Sequence, residues 1–185
     1  MHDSPTAPAH PSRRGVLALG LGLGASVALS GRARAEDEAP APLVVYAVRH
    51  AEKGAGRDPE LTEEGAARAQ ELARVLADAP LGAVYSTDTQ RTRLTAQPAA
   101  QAHELEIQGY APGTLAAKLV GGEARTVLVV GHSNTTPDLI RELGGSFDVK
   151  ILPGYDALLI AVVIPGGPTL FQQLHYGAPS TSGGH

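Results

Sequence analysis

Cysteine is absent from all 185 residues, which excludes disulfides, a thiolate nucleophile and any cysteine-based zinc site. In an oxidising compartment the stability of such a chain must come from core packing alone. A membrane-spanning run is missing too. The apolar stretch from about Val16 to Leu29 holds about fourteen residues, rich in Gly and Ala, against the roughly twenty that a spanning helix needs. There is no glycine-rich phosphate loop and no internal repeat.

What surrounds the apolar stretch gives it a different meaning. Arg13 and Arg14 precede it, and Ala33-Arg34-Ala35 places small residues at the two positions a signal peptidase reads. That order predicts a cleaved export signal over residues 1–35, and the paired arginines after Ser12 resemble a twin-arginine signal. No cysteine ends the run, so a lipid-modified terminus is excluded. Cleavage after Ala35 leaves Glu36–His185, the size of one ordinary domain. The leader would take Arg13, Arg14, Arg32, Arg34 and Asp3, leaving 11 basic against 18 acidic residues of the original 15 and 19. An acidic mature chain argues against nucleic acid or an anionic membrane surface as the main partner, and no membrane anchor remains after cleavage.

Residues 36–42 (EDEAPAP) read as a polar linker and residues 177–185 (GAPSTSGGH) as a flexible tail. Between them, over residues 43–176, apolar runs alternate with helical patterns. LVVYAV (43–48), LGAVYS (81–86), TVLVVG (126–131) and ALLIAVVI (157–164) read as strands, apolar on both faces as a covered parallel sheet requires. LTEEGAARAQELARVLADAP carries Ala69, Leu72, Ala73 and Leu76 at helical spacing behind Thr62 as N-cap. A second helix is expected from Asp88 or Thr89, kinked or ended by Pro98. Another is expected with Thr136 as N-cap, Pro137 at its first position and Gly144-Gly145 closing it. VVIPGGPTLFQQLHY reads as two strands joined by a Pro-Gly-Gly-Pro turn. The alternation predicts an α/β fold: a three-layer αβα sandwich with a mostly parallel central sheet, its ligands beyond the carboxyl ends of the strands.

That edge is where the chemically able residues fall. The first strand runs straight into Arg49 and His50. TVLVVGHSN delivers His132, and VYSTDTQRTRLTAQ delivers Arg91 about one turn into the next helix. Two arginines read as a phosphate clamp, because the guanidinium is permanently charged and its planar fork matches phosphoryl oxygens. A neutral histidine can attack phosphorus and divide one hard displacement into two easier ones. A second can stabilise the equatorial oxygens in the transition state.

RHAEK, GHSN and an Arg-Thr-x-x-x-Ala segment between them resemble the histidine phosphatase superfamily, which includes the cofactor-dependent phosphoglycerate mutases. PELTEEG extends the likeness toward the family's Leu-Thr-x-x-Gly helix start, and GYDALLIAVV toward its late strand. The resemblance implies a phosphoglycerate mutase-like fold and a phosphomonoesterase that needs no cofactor. It makes His50 the nucleophile, Arg49 and Arg91 the phosphate ligands, and His132 the second histidine of the pocket. Ser133 and Asn134 read as helix-entry residues, Asp138 as a partner of the helix dipole, and His103 and His175 as surface or packing residues.

The general acid is open. The mutase-like members carry it in a Glu-rich stretch after the middle arginine, which this chain lacks. Glu52, two residues beyond the nucleophile, is the favoured candidate, with Asp88 and Asp156 as alternatives. About thirty-five residues separate Arg91 from Thr126, which leaves little for a lid and favours hydrolysis by water in an open pocket. The expected partner is a phosphorylated small molecule or a phosphoprotein outside the cytoplasm. Two other readings stand beside this one: a non-catalytic phosphate-binding envelope protein of the same fold, and a metallohydrolase. Flanking arginines weigh against the second, since they would repel a metal cation.

Overall fold

The computed structural model describes residues 40–148 and 150–180, so the expected export signal and most of the expected linker lie outside the described residues. The elements follow as β1 (Leu43–Arg49), α1 (Glu63–Val75), β2 (Ala83–Ser86), α2 (Gln90–Ala102), β3 (Ile107–Gly109), α3 (Leu115–Val120), β4 (Thr126–Gly131), α4 (Thr135–Glu142), β5 (Ala157–Val163) and β6 (Thr169–His175). Six strands form one sheet in the order β3-β2-β4-β1-β5-β6. The pairs β2–β3, β2–β4 and β1–β4 are parallel, while β5 and β6 run antiparallel. This is the mostly parallel α/β sheet the alternation predicts.

Apolar side chains fill both faces of the sheet. One buried cluster joins Val45, Ala47, Val127 and Val129 to Leu139, Ile140 and Leu143 of the α4 side. The other joins Val48, Val84, Leu128 and Val130 to Leu72, Leu76, Ala96 and Ala99 of α1 and α2. Each strand is thus apolar on alternate residues in both directions, the condition for a sheet covered on both sides.

Register does the positioning. In the β1–β4 ladder Arg49 pairs with Gly131, and His50 N–H donates to the Gly131 carbonyl at 2.9 Å. The next residues along the two strands, His50 and His132, therefore leave the sheet side by side. Ser86 of β2 pairs with Val130, so β2 ends at the same level. Because β5 runs antiparallel, with Leu158 opposite Val48, the residues just before it return to that edge as well.

Helix α1 starts as the sequence predicts: Thr62 Oγ1 accepts from Gly65 N at 3.1 Å, with Glu63 and Glu64 in the first turn. Gly65 is fixed by contact. A Cβ there would overlap the Glu52 backbone, its carbonyl above all, since α1 lies directly on the segment after β1. Alanine is the better helix former by about 1 kcal/mol, yet Gly65→Ala is expected to destabilise by ~2 kcal/mol through that overlap. A lowered urea midpoint at unchanged slope is the readout.

Two helix boundaries differ from expectation. Pro98 does not end α2, which runs through it to Ala102; the proline sits half-buried in a helix whose buried Ala96, Ala99 and Ala100 hold it against the core. Helix α4 begins at Thr135, after Asn134, which makes no side-chain capping bond, so Pro137 is its third residue rather than its first. The first-turn N–H groups have no helical partner, and a proline there removes nothing. Thr136 is buried instead, its hydroxyl donating to the Val48 carbonyl at 3.2 Å, which ties α4 to β1.

Candidate active site

The carboxyl ends of β1, β2 and β4 converge on a cationic pocket. His50 is 3 % exposed, and its Nδ1 lies 2.8 Å from the Ala51 carbonyl. A carbonyl can only accept, so Nδ1 carries the proton and Nε2 keeps its lone pair. Ala51 N in turn donates to Thr95 Oγ1 of α2 at 2.9 Å, which pins the turn that holds the ring. The His132 ring stands edge-on to it, centroids 5.5 Å apart. His132 Nε2 is 2.9 Å from Thr87 Oγ1, and Arg91 Nη2 reaches its Nδ1 at 3.5 Å. Thr92 completes the chain: its hydroxyl donates to the Thr87 carbonyl at 2.8 Å and receives Thr87 Oγ1 at 3.2 Å.

Arg49 is buried, with its Nη1 donating to the Leu152 carbonyl at 3.2 Å and its guanidinium 4.2 Å above the Tyr155 ring. Tyr155 also lies against His50, ring centroids 5.7 Å apart. The Nε atoms of Arg49 and Arg91 are enclosed and have no acceptor in the protein. Asp58 is the carboxylate that meets Arg91, at 3.5 Å from Nη1, while its Oδ1 accepts from Gln90 N at 3.0 Å at the start of α2.

Both imidazoles are held neutral. Burial pushes His50 down to about 3, with Arg49, Arg91 and His132 adding to the effect against the opposing Ala51 hydrogen bond. Burial and then the two arginines push His132 down to about 4. In the unfolded chain each titrates near 6.5. As pH falls below that value the unfolded state takes up protons the folded state refuses, so these two residues lower stability on acidification until pH reaches 3–4. In anion-free buffer the urea midpoint should therefore fall from pH 7 to pH 5, and His132→Asn should flatten part of that slope.

His50, Arg49, Arg91 and His132, chosen from the sequence, share one pocket. Each of the three carboxyl candidates is engaged by a partner of its own. Glu52 is buried with both oxygens on Arg68: Arg68 Nε reaches each oxygen at 2.9 Å, and Nη2 reaches Oε1 at 2.7 Å. It is the anchor of an ion pair rather than a free acid beside His50. Asp88 is exposed and paired with Arg93 at 3.0 Å. Asp156 faces His175 at 3.2 Å and Ser180 at 3.3 Å. Thr87 and Tyr155 were not chosen from the sequence. Thr87 directly follows β2, an ordinary place for a threonine that marks no site by itself; Tyr155 depends on the chain reversal into β5, which no local pattern announces.

Among the described residues no group of three or more His, Asp or Glu is placed to hold a metal ion. The model of the histidine phosphatase superfamily (branch 1) matches residues 45–111, from β1 to just past β3. Among solved structures, the protein histidine phosphatase SixA complexed with tungstate aligns with a TM-score of 0.61 at 19% identity, over 72% of this chain and 97% of that one. The fold is that of the histidine phosphatases. A mycobacterial glucosyl-3-phosphoglycerate phosphatase with inorganic phosphate aligns with a TM-score of 0.57 at 17% identity, over 74% of this chain and 97% of its own. Phosphoserine phosphatase from Entamoeba histolytica, with 3-phosphoglyceric acid, gives 0.52 at 15%, over 74% and 98%. No curated protein matches the chain. The superfamily match and the fold agree with each other, and the region outside the matched residues supplies His132 and Tyr155 to the site.

Proposed function

We propose that the protein is an exported, metal-independent phosphatase acting on phosphomonoesters through a phosphohistidine intermediate. The observation that carries this reading is the neutral His50, with Nδ1–H committed to the Ala51 carbonyl and Nε2 free, set between two guanidinium groups. Arg49 and Arg91 would bind the phosphoryl oxygens. Nε2 would attack phosphorus as the bond to the leaving oxygen breaks, forming N–P. Water would then attack phosphorus, breaking N–P and releasing inorganic phosphate, and His50 would return neutral. His132 would stabilise the equatorial oxygens, its ring held by the Thr87 hydroxyl 2.9 Å from Nε2.

The engaged carboxyls bear on substrate choice. With Glu52, Asp88 and Asp156 each committed elsewhere, the pocket suits substrates that need no enzymatic proton donor, such as aryl esters, or a phosphohistidine whose second ring nitrogen already carries a proton from solvent and so leaves as neutral imidazole. The short β3 and α3 that follow α2 supply no lid, which suits a protein-borne phosphoryl group as well as a small molecule. The same observation keeps a second reading in view, a phosphate-binding envelope protein without turnover.

The test is hydrolysis of a chromogenic aryl phosphate by the purified protein in EDTA. Turnover supports the phosphatase, turnover only on added metal supports a metallohydrolase, and phosphate binding without turnover at any pH supports the binding protein. Export rests on the Arg13-Arg14 pair, the apolar run and Ala33-Arg34-Ala35. Cell fractionation tests it, with a mature terminus at Glu36 expected and an intact cytoplasmic chain sinking it.

A further inference from the structure

Edge strands present unpaired N–H and C=O groups, and proteins that stay apart blunt such edges with charges, prolines or bulges. Strand β6 has none of these. Its first six residues, TLFQQL, carry no charge and no proline, and it pairs with β5 without interruption from Thr169 opposite Val163 to His175 opposite Ala157. Among the described residues no strand lies on its other side. Leu170 is 54% exposed and Leu174 41% exposed, on one face of the strand, with Gln172 exposed between them. Behind them on the same face stand the partly buried Ile160 and Val162 of β5.

We propose that β6 is a self-pairing edge, joining two copies of this chain into one continuous twelve-stranded sheet about a two-fold axis at Gln172. The strand is its own complement in that register. An antiparallel partner centred on Gln172 sets Leu170 opposite the partner's Leu174 and Leu174 opposite the partner's Leu170, two apolar cross-strand pairs flanking a Gln172–Gln172 amide pair. On the other face Phe171 meets Gln173, and Thr169 meets His175. No like charges meet. Moving the register by one residue sets Leu opposite Gln and breaks both apolar pairs, so the strand favours this alignment over its neighbours. A foreign strand would find the backbone groups but not the matched leucines, which is why the second copy is the favoured occupant. The interface is isologous and closes at two copies. It lies on β6, across β5 from β1, and leaves the carboxyl ends of β1, β2 and β4 unobstructed.

The absence of native cysteine makes the register directly testable in the full chain. Residues facing across an antiparallel pair have Cα atoms about 4.5–5.5 Å apart, within the ~4.4–6.8 Å that a disulfide spans. Gln172→Cys should therefore give a covalent dimer on mild oxidation. Leu170→Cys alone should not, whereas a mixture of Leu170→Cys and Leu174→Cys chains should cross-link to each other. Sedimentation of the unmodified protein should show a dimer, and Leu174→Lys should raise its dissociation constant at least tenfold, the two proteins melting alike only when diluted to where both are monomeric. A monomer across ~1–100 μM, or Leu170→Cys chains cross-linking to themselves as readily as Gln172→Cys chains, overturns the proposal.

Discussion

His50→Ala is expected to lose several orders of magnitude in turnover of an aryl phosphate while keeping the fold and most of the phosphate affinity. On the proposed mechanism the imidazole would carry the phosphoryl group, whereas binding would rest on Arg49 and Arg91, which the substitution leaves in place. Removing a nucleophile that acts as a unit with its surroundings commonly costs a factor of about 10⁶, with residual rate from the remaining electrostatics. Rapid quench of the unmodified protein with labelled substrate should trap an acid-labile, base-stable adduct on His50. The alternative site is obvious from the geometry, since the His132 ring lies 5.5 Å away. An adduct on His132, or none in a protein that turns over, overturns the assignment. Depressed basicity is part of the reasoning. Burial keeps His50 unprotonated down to about 3, so the lone pair is available throughout the neutral range without a base to remove a proton.

Breaking the Glu52–Arg68 pair is expected to have the largest effect on stability. Both side chains are enclosed, at 2% and 11% exposure for Arg68 and Glu52. Arg68→Met would leave the carboxylate inside without its three charge-assisted bonds, a loss of about 3–5 kcal/mol. Arg68 Nη1 also donates to the Tyr176 carbonyl at 3.1 Å, so the same change frees the end of β6 from α1. The double variant Glu52→Gln/Arg68→Met should recover part of the loss, because an amide can lie buried at lower cost than an unpaired charge. Denaturant unfolding of the four proteins measures the coupling; additive losses would mean that the pair is not a unit. The same variants separate anchoring from acid catalysis. Glu52→Gln should lower alkyl and aryl phosphate rates in equal proportion. A selective loss of the alkyl rate would return Glu52 to the role of proton donor.

The strands were legible because a covered parallel sheet writes itself as short runs apolar on both faces, and the candidate site residues because the runs of β1 and β4 stop on residues of a type able to bind or attack phosphate. Arg49, His50 and His132 sit at the ends of β1 and β4, where the run stops, and Arg91 is the second residue of the helix that follows β2. Glu52 shows the limit of that approach. Nearness in sequence to His50 places it near the pocket, but the direction of its carboxylate is decided by Arg68, sixteen residues on, and by the rotation of α1 about its axis. Thr87 and Tyr155 were hidden for different reasons. A threonine at a strand end is ordinary, and its value appears only when His132 arrives from β4. Tyr155 reaches His50 through the antiparallel return of the chain, which depends on the pairing of β5 with β1 and not on its own neighbours. Pro98 does not end α2, because a proline forbids only one helical hydrogen bond and packing of Ala96, Ala99 and Ala100 outweighs that loss.

The ladder between β1 and β4 has a bearing on motion. The separation of the two imidazoles is set by main-chain pairing through Arg49 and Gly131, so the rings cannot be parted by a loop swinging open; the two central strands would have to come apart first. Amide hydrogens near His50 should exchange with solvent as slowly as those of the buried sheet, and heat inactivation should coincide with global melting instead of preceding it. On the proposed function, adaptation to different phosphorylated molecules would fall to the segments outside the ladder that reach the site, the turn carrying Asp58 and the stretch holding Leu152 and Tyr155. Those segments can vary in length and sequence while the distance between attacking ring and facing ring stays what the sheet makes it.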